Sequence, residues 1–530
     1  MNKSRIQRFI HTFNPSPGNT FLLAFCWALV GGMLLQFVVL PALPGLHWGH
    51  GLLMGGDWTG FHAAGDKLAL QMALDGWGAW ELRYLGNAPS GILAALYFVF
   101  GIHEPWVFLP INAFLFGAAT FMLHKIFKLV VATRHSFFAV IPFMMFPSAL
   151  MIYGQVHKDI FSITGTFFII FVWADLAGRT TLTWRKMLLR IATILAGLVL
   201  VWIVRPYLLQ PLLLAGFFAA LLLSLWVGRR GYRSWWCALT IFLSIQIVAI
   251  TYGGDTQMIK ASSLQPAKNL FSSELKLDSL SDEDLRVLLV DLIRDSSEVK
   301  GSRVEIERAI KEVKESSEVK GSRVEIERAI KEVKELLEVK GSRVEKERAI
   351  KEVKESIILL APPLTFLDKI TYPLDRMSFK LSAHRAGFTG DTLAGSNVDI
   401  EVSFFSIEDV LLYIPRALQI GLLAPFPSMW GGQGVNKGGG TMRVLSGIEM
   451  MFTYVFLVGF LGLLAYGKER WATLLVAAGM ALALTLIVTL VVANVGTLFR
   501  MRYGSWALFN GLGILGWGLW FQARSKVKYE

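Results

Sequence analysis

FLLAFCWALVGGMLLQFVVL, residues 21–40, decides the class of this protein. The stretch carries no charge, and about 20 apolar residues are what an α-helix needs to cross the hydrocarbon core of a bilayer. Lys3, Arg5 and Arg8 precede it. A secretory signal has an apolar core of only about 7–15 residues, so the stretch reads as an uncleaved first helix running from inside to outside.

Runs of the same kind recur at about 106–124, 136–153, 160–176, 190–204, 207–227, 234–252, 447–466, 471–492 and 504–521. They explain a composition of 54% hydrophobic and 17% charged residues and a mean hydropathy of +0.50, against about 25% charged in soluble domains. The expected fold is an all-α polytopic membrane protein of about ten transmembrane helices. Disordered, fibrous and disulfide-scaffold classes are excluded. Cys26 and Cys237 both fall within apolar runs and read as small buried hydrophobes.

Two apolar pieces stay outside the count. Residues 91–102 are too short to span, and 407–424 carry Glu408, Asp409 and Arg416. Both read as interfacial helices in outer loops. With them excluded, both termini are cytoplasmic. The inside segments then hold eighteen Lys and Arg. The outside segments, apart from one large loop, hold six: Lys67, Arg83, Lys158, Arg205, Arg500 and Arg502. That asymmetry is the positive-inside pattern. It accounts for the net charge of +12 without nucleic acid. Three parts result: 1–252, an N-terminal membrane module of seven helices with the first outer loop; 253–446, a large outer loop; and 447–530, the C-terminal membrane helices.

The large loop contains three tandem 20-residue units over 296–355, beginning SSEVKGSRVEIERAIKEVKE. Ser302 with Glu305 is a helix-start signature, and Glu307 and Lys311 are four apart on one helix face. The units read as a solvated helical insertion, or as a spacer or partner-binding arm.

Phosphate-loop, dinucleotide and zinc-type spacings are missing from the sequence. His47 and His50, beside Trp48, read as interface residues or a metal-binding pair. The first outer loop contains GGDWTGFHAAGDKLALQMALDGW from Gly55. Asp57 lies just beyond the first helix. It is either a general base held at the membrane surface or the cap of a helix starting at Trp58. Residues 61–74 are amphipathic, and His62 and Asp66 there join the candidates for substrate contact. Another outer helix end reads YGQVHKDIFS, with His157, Lys158 and Asp159 consecutive. Ionisable residues at such an edge are functional candidates. Lys158, Arg205, Arg500 and Arg502 could together line an anionic site for a polyprenyl phosphate or pyrophosphate, and lipid headgroups would satisfy the same cations.

The order of basic tail, helix, GGDW loop and later HKD resembles the GT-C membrane glycosyltransferases, among them protein mannosyltransferases and the lipid A aminoarabinose transferase. The C-terminal segments HRAGFTGDTLAGSNVDIEV, YIPRALQIGLLAPFPSMW, GIEMMFTYVF and NVGTLFRMRYG are similar to those of multipass proteins from bacterial surface-polysaccharide loci. The resemblance implies a GT-C-like fold in the bacterial cytoplasmic membrane. It implies a polyprenyl-phosphate-linked sugar as donor, a glycan, lipid or protein as acceptor, and transfer on the outer face. Asp57 and Asp159 take the two acidic positions of that family. Trp58 stands where the family often has a second acid next to the first. A divalent cation, Mg or Mn, is the cofactor such a site would use. Two other classes remain open: a transporter or flippase of lipid-linked glycans, which would place ionisable residues deep in its helices, with Asp175 the best such residue; and a polymerase or structural subunit of polysaccharide export.

Overall fold

The computed structural model of the chain describes residues 15–131, 134–178, 183–227, parts of 374–388, 395–431, 439–467 and 470–527. The apolar run at 234–252, Cys237 and the repeats at 296–355 lie outside them. Six of the described helices are long and apolar enough to cross a membrane, or seven if one bent pair is a single span. The protein is an all-α multipass membrane protein.

Helix α1 (Pro17–Leu34) starts where the Ser16 side chain accepts from the Asn19 N–H and Pro17 supplies a preset first turn. It buries a stripe spaced by four, Thr20, Ala24, Ala28 and Gly32, and packs on α4 (Leu109–Val130). Small residues let membrane helices approach closely, where dispersion rather than the hydrophobic effect supplies the attraction. That narrow stripe leaves Cys26 exposed on the opposite face, which corrects the expectation that it is buried.

The long connection after α1 folds back over the helix ends. A small hairpin, His47–Gly49 with Leu52–Leu53, leads to α2 (Asp57–Asp75). Trp58, Phe61, Gly65, Leu68 and Met72 form the buried face of α2 and pack against α3 (Ala88–Phe100). At thirteen residues α3 is short of a full span.

The run read at 136–153 is broken. Its helical pieces, Ser136–Met145 (which contains α5, Ile141–Met145) and α6 (Pro147–Gly154), meet at 70°. Pro147 is the cause. It has no N–H to donate and forces the preceding Phe146 into extended geometry, φ −65° and ψ 140°.

Helix α7 (Asp159–Ala177) is buried along nearly its whole length. It lies between α4, α8 (Trp184–Val204) and α12 (Trp471–Val491). Near its C-terminal end Asp175 accepts from Arg190 of α8 at 2.8 Å. A paired carboxylate is structural, so the deepest ionisable residue expected from the sequence belongs to helix packing. The apolar run at 207–227 forms α9 (Leu209–Val227).

Helix α10 (Ile407–Leu423) is amphipathic and begins with a capping box between Ser406 and Asp409. Arg416 grips Asp399 through two nitrogens at 2.9 and 3.0 Å, and Tyr413 donates to the same carboxylate at 2.8 Å. Asp409 and Arg416, two of the charges that kept 407–424 out of the spanning count, are thus consumed in local structure, and Glu408 is exposed. Helix α11 (Gly439–Tyr466) starts eight residues before the run read at 447. It packs on α14 (Tyr503–Val527). There a Cβ on Gly459 or Gly513 would run into the backbone carbonyl or indole of the other helix, so only glycine permits the approach. Helix α13 (Val495–Met501), capped by the Asn494 side chain, turns the chain from α12 into α14.

Candidate functional site

A cavity of about 500 Å³ opens where α2, α6, α11 and α13 converge. Its walls are mainly apolar, with Met151, Ile152, Met442 and Phe499 among them. Its polar lining includes Ser148, His157, Arg443, Glu449 and Arg500, with Ser396, Ser446 and Asn494.

GGDW is built for its place on this rim. A Cβ on Gly56 would collide with the indole of Trp58, which is pinned by its N–H to the Leu53 carbonyl. Gly56 is the N-cap and Asp57 the first helical residue, with no side-chain cap. Asp57 therefore does not cap a helix starting at Trp58. Its carboxylate accepts from Arg500 at 3.1 Å, and both side chains are partly exposed.

The HKD turn stands directly behind. Arg205, at the end of α8, donates to Asp159, and both are buried. The backbone N–H of Asp159 donates to His157 Nδ1 at 3.1 Å. Burial pushes the His157 imidazole down to about 4, so the ring is neutral at pH 7. The same Nδ1 also lies 3.2 Å from the Asp159 carboxylate Oδ2, so the ring is tied to the turn on that side while it lines the cavity. The ammonium of Lys158 lies 5.4 Å from the centre of the Phe61 ring. Burial first, and the neighbouring Arg205 second, hold it below the usual lysine range.

Asp57, Lys158, Asp159, Arg205 and Arg500 thus form one electrostatic cluster, each within the field of others. Its three cations and two carboxylates leave one net positive charge. Asp159 is sequestered by Arg205, so it holds the turn in place and does not touch a cavity ligand.

Three expected members stand elsewhere. Arg502 points away from the rim, into the last turn of α10, where it donates to the carbonyls of Ile420, Gly421 and Ala424. The Ile420 carbonyl also accepts from the Ala424 N–H; those of Gly421 and Ala424, at the helix end, lack such a partner, and one buried guanidinium satisfies them. Burial pushes Arg502 down to about 9. Of the four cations expected to line one site, Arg500 lines the cavity, Lys158 and Arg205 stand behind it in the same cluster, and Arg502 is turned away. His62 and Asp66 do not line the cavity. His62 bonds the Tyr97 hydroxyl at 2.8 Å and sits 4.9 Å, ring to ring, from His50. Asp66 holds His103 at 2.5 Å, and His50 holds Glu104 at 3.1 Å. These acid–histidine pairs tie α2 and the hairpin to the segment before α4.

Arg443, Glu449 and Ser148 were not expected. Among the described residues the Arg443 guanidinium makes no ion pair, and it lies beside Gly395. Glu449 is 1% exposed. It accepts from the Ser148 N–H and the Ser148 hydroxyl, both at 2.6 Å. A signal existed in GIEMMFTYVF, where a glutamate begins an apolar run. A helix boundary drawn at 447 made it look like an end residue.

Among the described residues no group of three or more His, Cys, Asp and Glu is arranged to hold a metal ion, and Asp57 is engaged by a guanidinium. The donor set does not fit Mg or Mn. No protein-family model, curated protein or solved structure matches this chain.

Proposed function

We propose that this protein transfers a sugar from a polyprenyl-phosphate or -pyrophosphate carrier to an acceptor on the outer face of a bacterial cytoplasmic membrane, with both termini inside. The fold would be GT-C-like, and the acceptor a glycan, lipid or protein in surface polysaccharide or glycolipid synthesis. The observation that carries this reading is the Asp57–Arg500 pair on the rim of an apolar-walled cavity. An apolar wall suits a prenyl chain, the cations suit its phosphate, and the carboxylate suits an acceptor hydroxyl.

The chemistry follows from those placements. The acceptor oxygen attacks the anomeric carbon and forms the new C–O bond. The bond from that carbon to the carrier's phosphate oxygen breaks, and the electron pair leaves with the phosphate. Arg500 and Arg443 stabilise the charge that grows there, the preorganised electrostatic role that contributes most in such transfers. Asp57 takes or orients the acceptor proton. In the resting chain Arg500 occupies Asp57. A phosphate arriving at Arg500 competes for the guanidinium and frees the carboxylate, so the base is released when the donor is bound.

The test is sugar transfer from a lipid-linked donor pool by protein in lipid nanodiscs, native against Asp57→Asn. Turnover that falls by about 10²-fold or more in the folded variant supports the reading. A second reading, a transporter of lipid-linked glycans, is favoured by Glu449, an ionisable residue inside a candidate span and lining the cavity. Absence of transfer by the native chain, with lipid-linked glycan moved across the bilayer, would sink the transferase and select the transporter.

A further inference from the structure

The inference rests on the cavity being a site for a lipid-linked sugar, and concerns the end of that ligand which no rim residue reaches. Glu449 lies inside the span Gly440–Tyr466, almost fully buried, and lines the cavity. Among the described residues it has no cationic partner. Part of its work is structural. Ser148 is the second residue of α6, whose first N–H groups lack partners in their own helix, and Glu449 accepts one of them. That role does not need a charge or a second oxygen. A carboxylate offers about four acceptor positions, and Ser148 fills two.

The remaining positions belong to a side chain that faces an open cavity. Burying acceptors without donors is costly, so a complementary occupant must supply hydrogen-bond donors. The neighbouring helical positions show where. Arg443 and Glu449 both line the cavity from α11, and six residues of α-helix separate them by about 9 Å along the axis. The cavity therefore offers the Arg443 cation at one level and an unfilled acceptor about one and two-thirds turns further along.

We propose that Glu449, held in place by Ser148, is a sugar-reading subsite: its free acceptor positions take hydroxyl groups of a glycosyl unit whose phosphate is held at Arg443 and Arg500. Trp58 and Tyr503, also in the lining, give the ring apolar surface to lie against. Glu449 is a specificity-determining residue in this assignment.

The experiment measures binding to full-length protein in nanodiscs with three probes, farnesyl phosphate, farnesyl phosphoglucose and farnesyl phosphoglucosamine, together with free maltose. The native chain is expected to bind the phosphoglucose lipid at least about tenfold tighter than bare farnesyl phosphate, the size of one hydrogen bond to a charged group. Glu449→Gln keeps one oxygen for the Ser148 N–H, preserving the fold, and is expected to remove most of that sugar-dependent gain while leaving farnesyl phosphate affinity unchanged. Arg443→Gln is expected to weaken both lipids equally. Equal loss of both lipids in Glu449→Gln, or no loss of either, overturns the subsite and leaves Glu449 as a helix cap alone. A gain confined to the amino sugar overturns the hydroxyl assignment. If the native chain binds none of the lipids, the lipid-carrier reading falls, and maltose decides the subsite: retention that depends on Glu449 supports it, and none overturns it.

Discussion

Replacing Arg205 by leucine is expected to be the most damaging single change at this site. Arg205 and Asp159 form an ion pair whose side chains are 6% and 2% exposed. Removing the guanidinium strands a carboxylate away from water, with one oxygen already lacking a hydrogen-bond donor. Breaking a buried pair in this way costs about 3–5 kcal/mol. Coulomb attraction gives a similar figure, about 5 kcal/mol for unit charges about 3 Å apart at an effective dielectric of about 20. The double variant Asp159→Leu/Arg205→Leu removes both charges, and pairs replaced by apolar groups of similar volume are near neutral. It should therefore be more stable than Arg205→Leu alone by about 2 kcal/mol or more. The assay is reversible unfolding in mixed micelles followed by tryptophan fluorescence, with native, both singles and the double forming a cycle. Arg205→Leu should also reduce transfer, because the pair anchors the turn that presents His157 and Lys158. A cost below about 1 kcal/mol for Arg205→Leu, or a double variant that loses the sum of the two singles, would refute the account of Asp159 as a buried, held carboxylate.

Other outcomes follow from the same geometry. His157 is buried neutral, with its value lowered from the usual 6.5 to about 4. Between those values the unfolded chain binds a proton that the folded chain does not, so this group's contribution falls as pH drops from about 6.5 to about 4. The loss amounts to about 3 kcal/mol, and His157→Gln should flatten that limb of a stability–pH curve. Gly56→Ala drives a methyl group into the Trp58 ring and should cost about 1–3 kcal/mol, read as a lowered unfolding midpoint and reduced transfer. Arg502→Met leaves the Gly421 and Ala424 carbonyls unsatisfied at about 1–3 kcal/mol each. It should lower stability sharply while leaving farnesyl phosphate affinity of the folded fraction unchanged. Raising salt should weaken the exposed Asp57–Arg500 pair far more than the buried Asp159–Arg205 pair, which a transfer assay in Arg500→Gln across salt concentrations would show as a flattened response.

The membrane class, the apolar helices, the helical character of 61–74 and 407–424, and the candidacy of Asp57, Lys158, Arg205 and Arg500 were all legible in the chain. Each depends on a local quantity: the length of an apolar run, a 3.6-residue period, or a charge at the end of a run. Which charges meet is a different kind of fact. Asp57 and Arg500 are 443 positions apart, and Ser148 and Glu449 are 301 apart. No local pattern encodes such pairings, because they arise only when packed helices bring their ends together. For the same reason Arg500 and Arg502, two residues apart and equivalent in sequence, have separate fates. About 200° of helical turn separates their side chains, so one faces the cavity rim and the other the carbonyls of α10. The break at Pro147 was written in the sequence as a proline, but its consequence was not. The N–H groups it exposes needed an acceptor, and tertiary packing supplied Glu449.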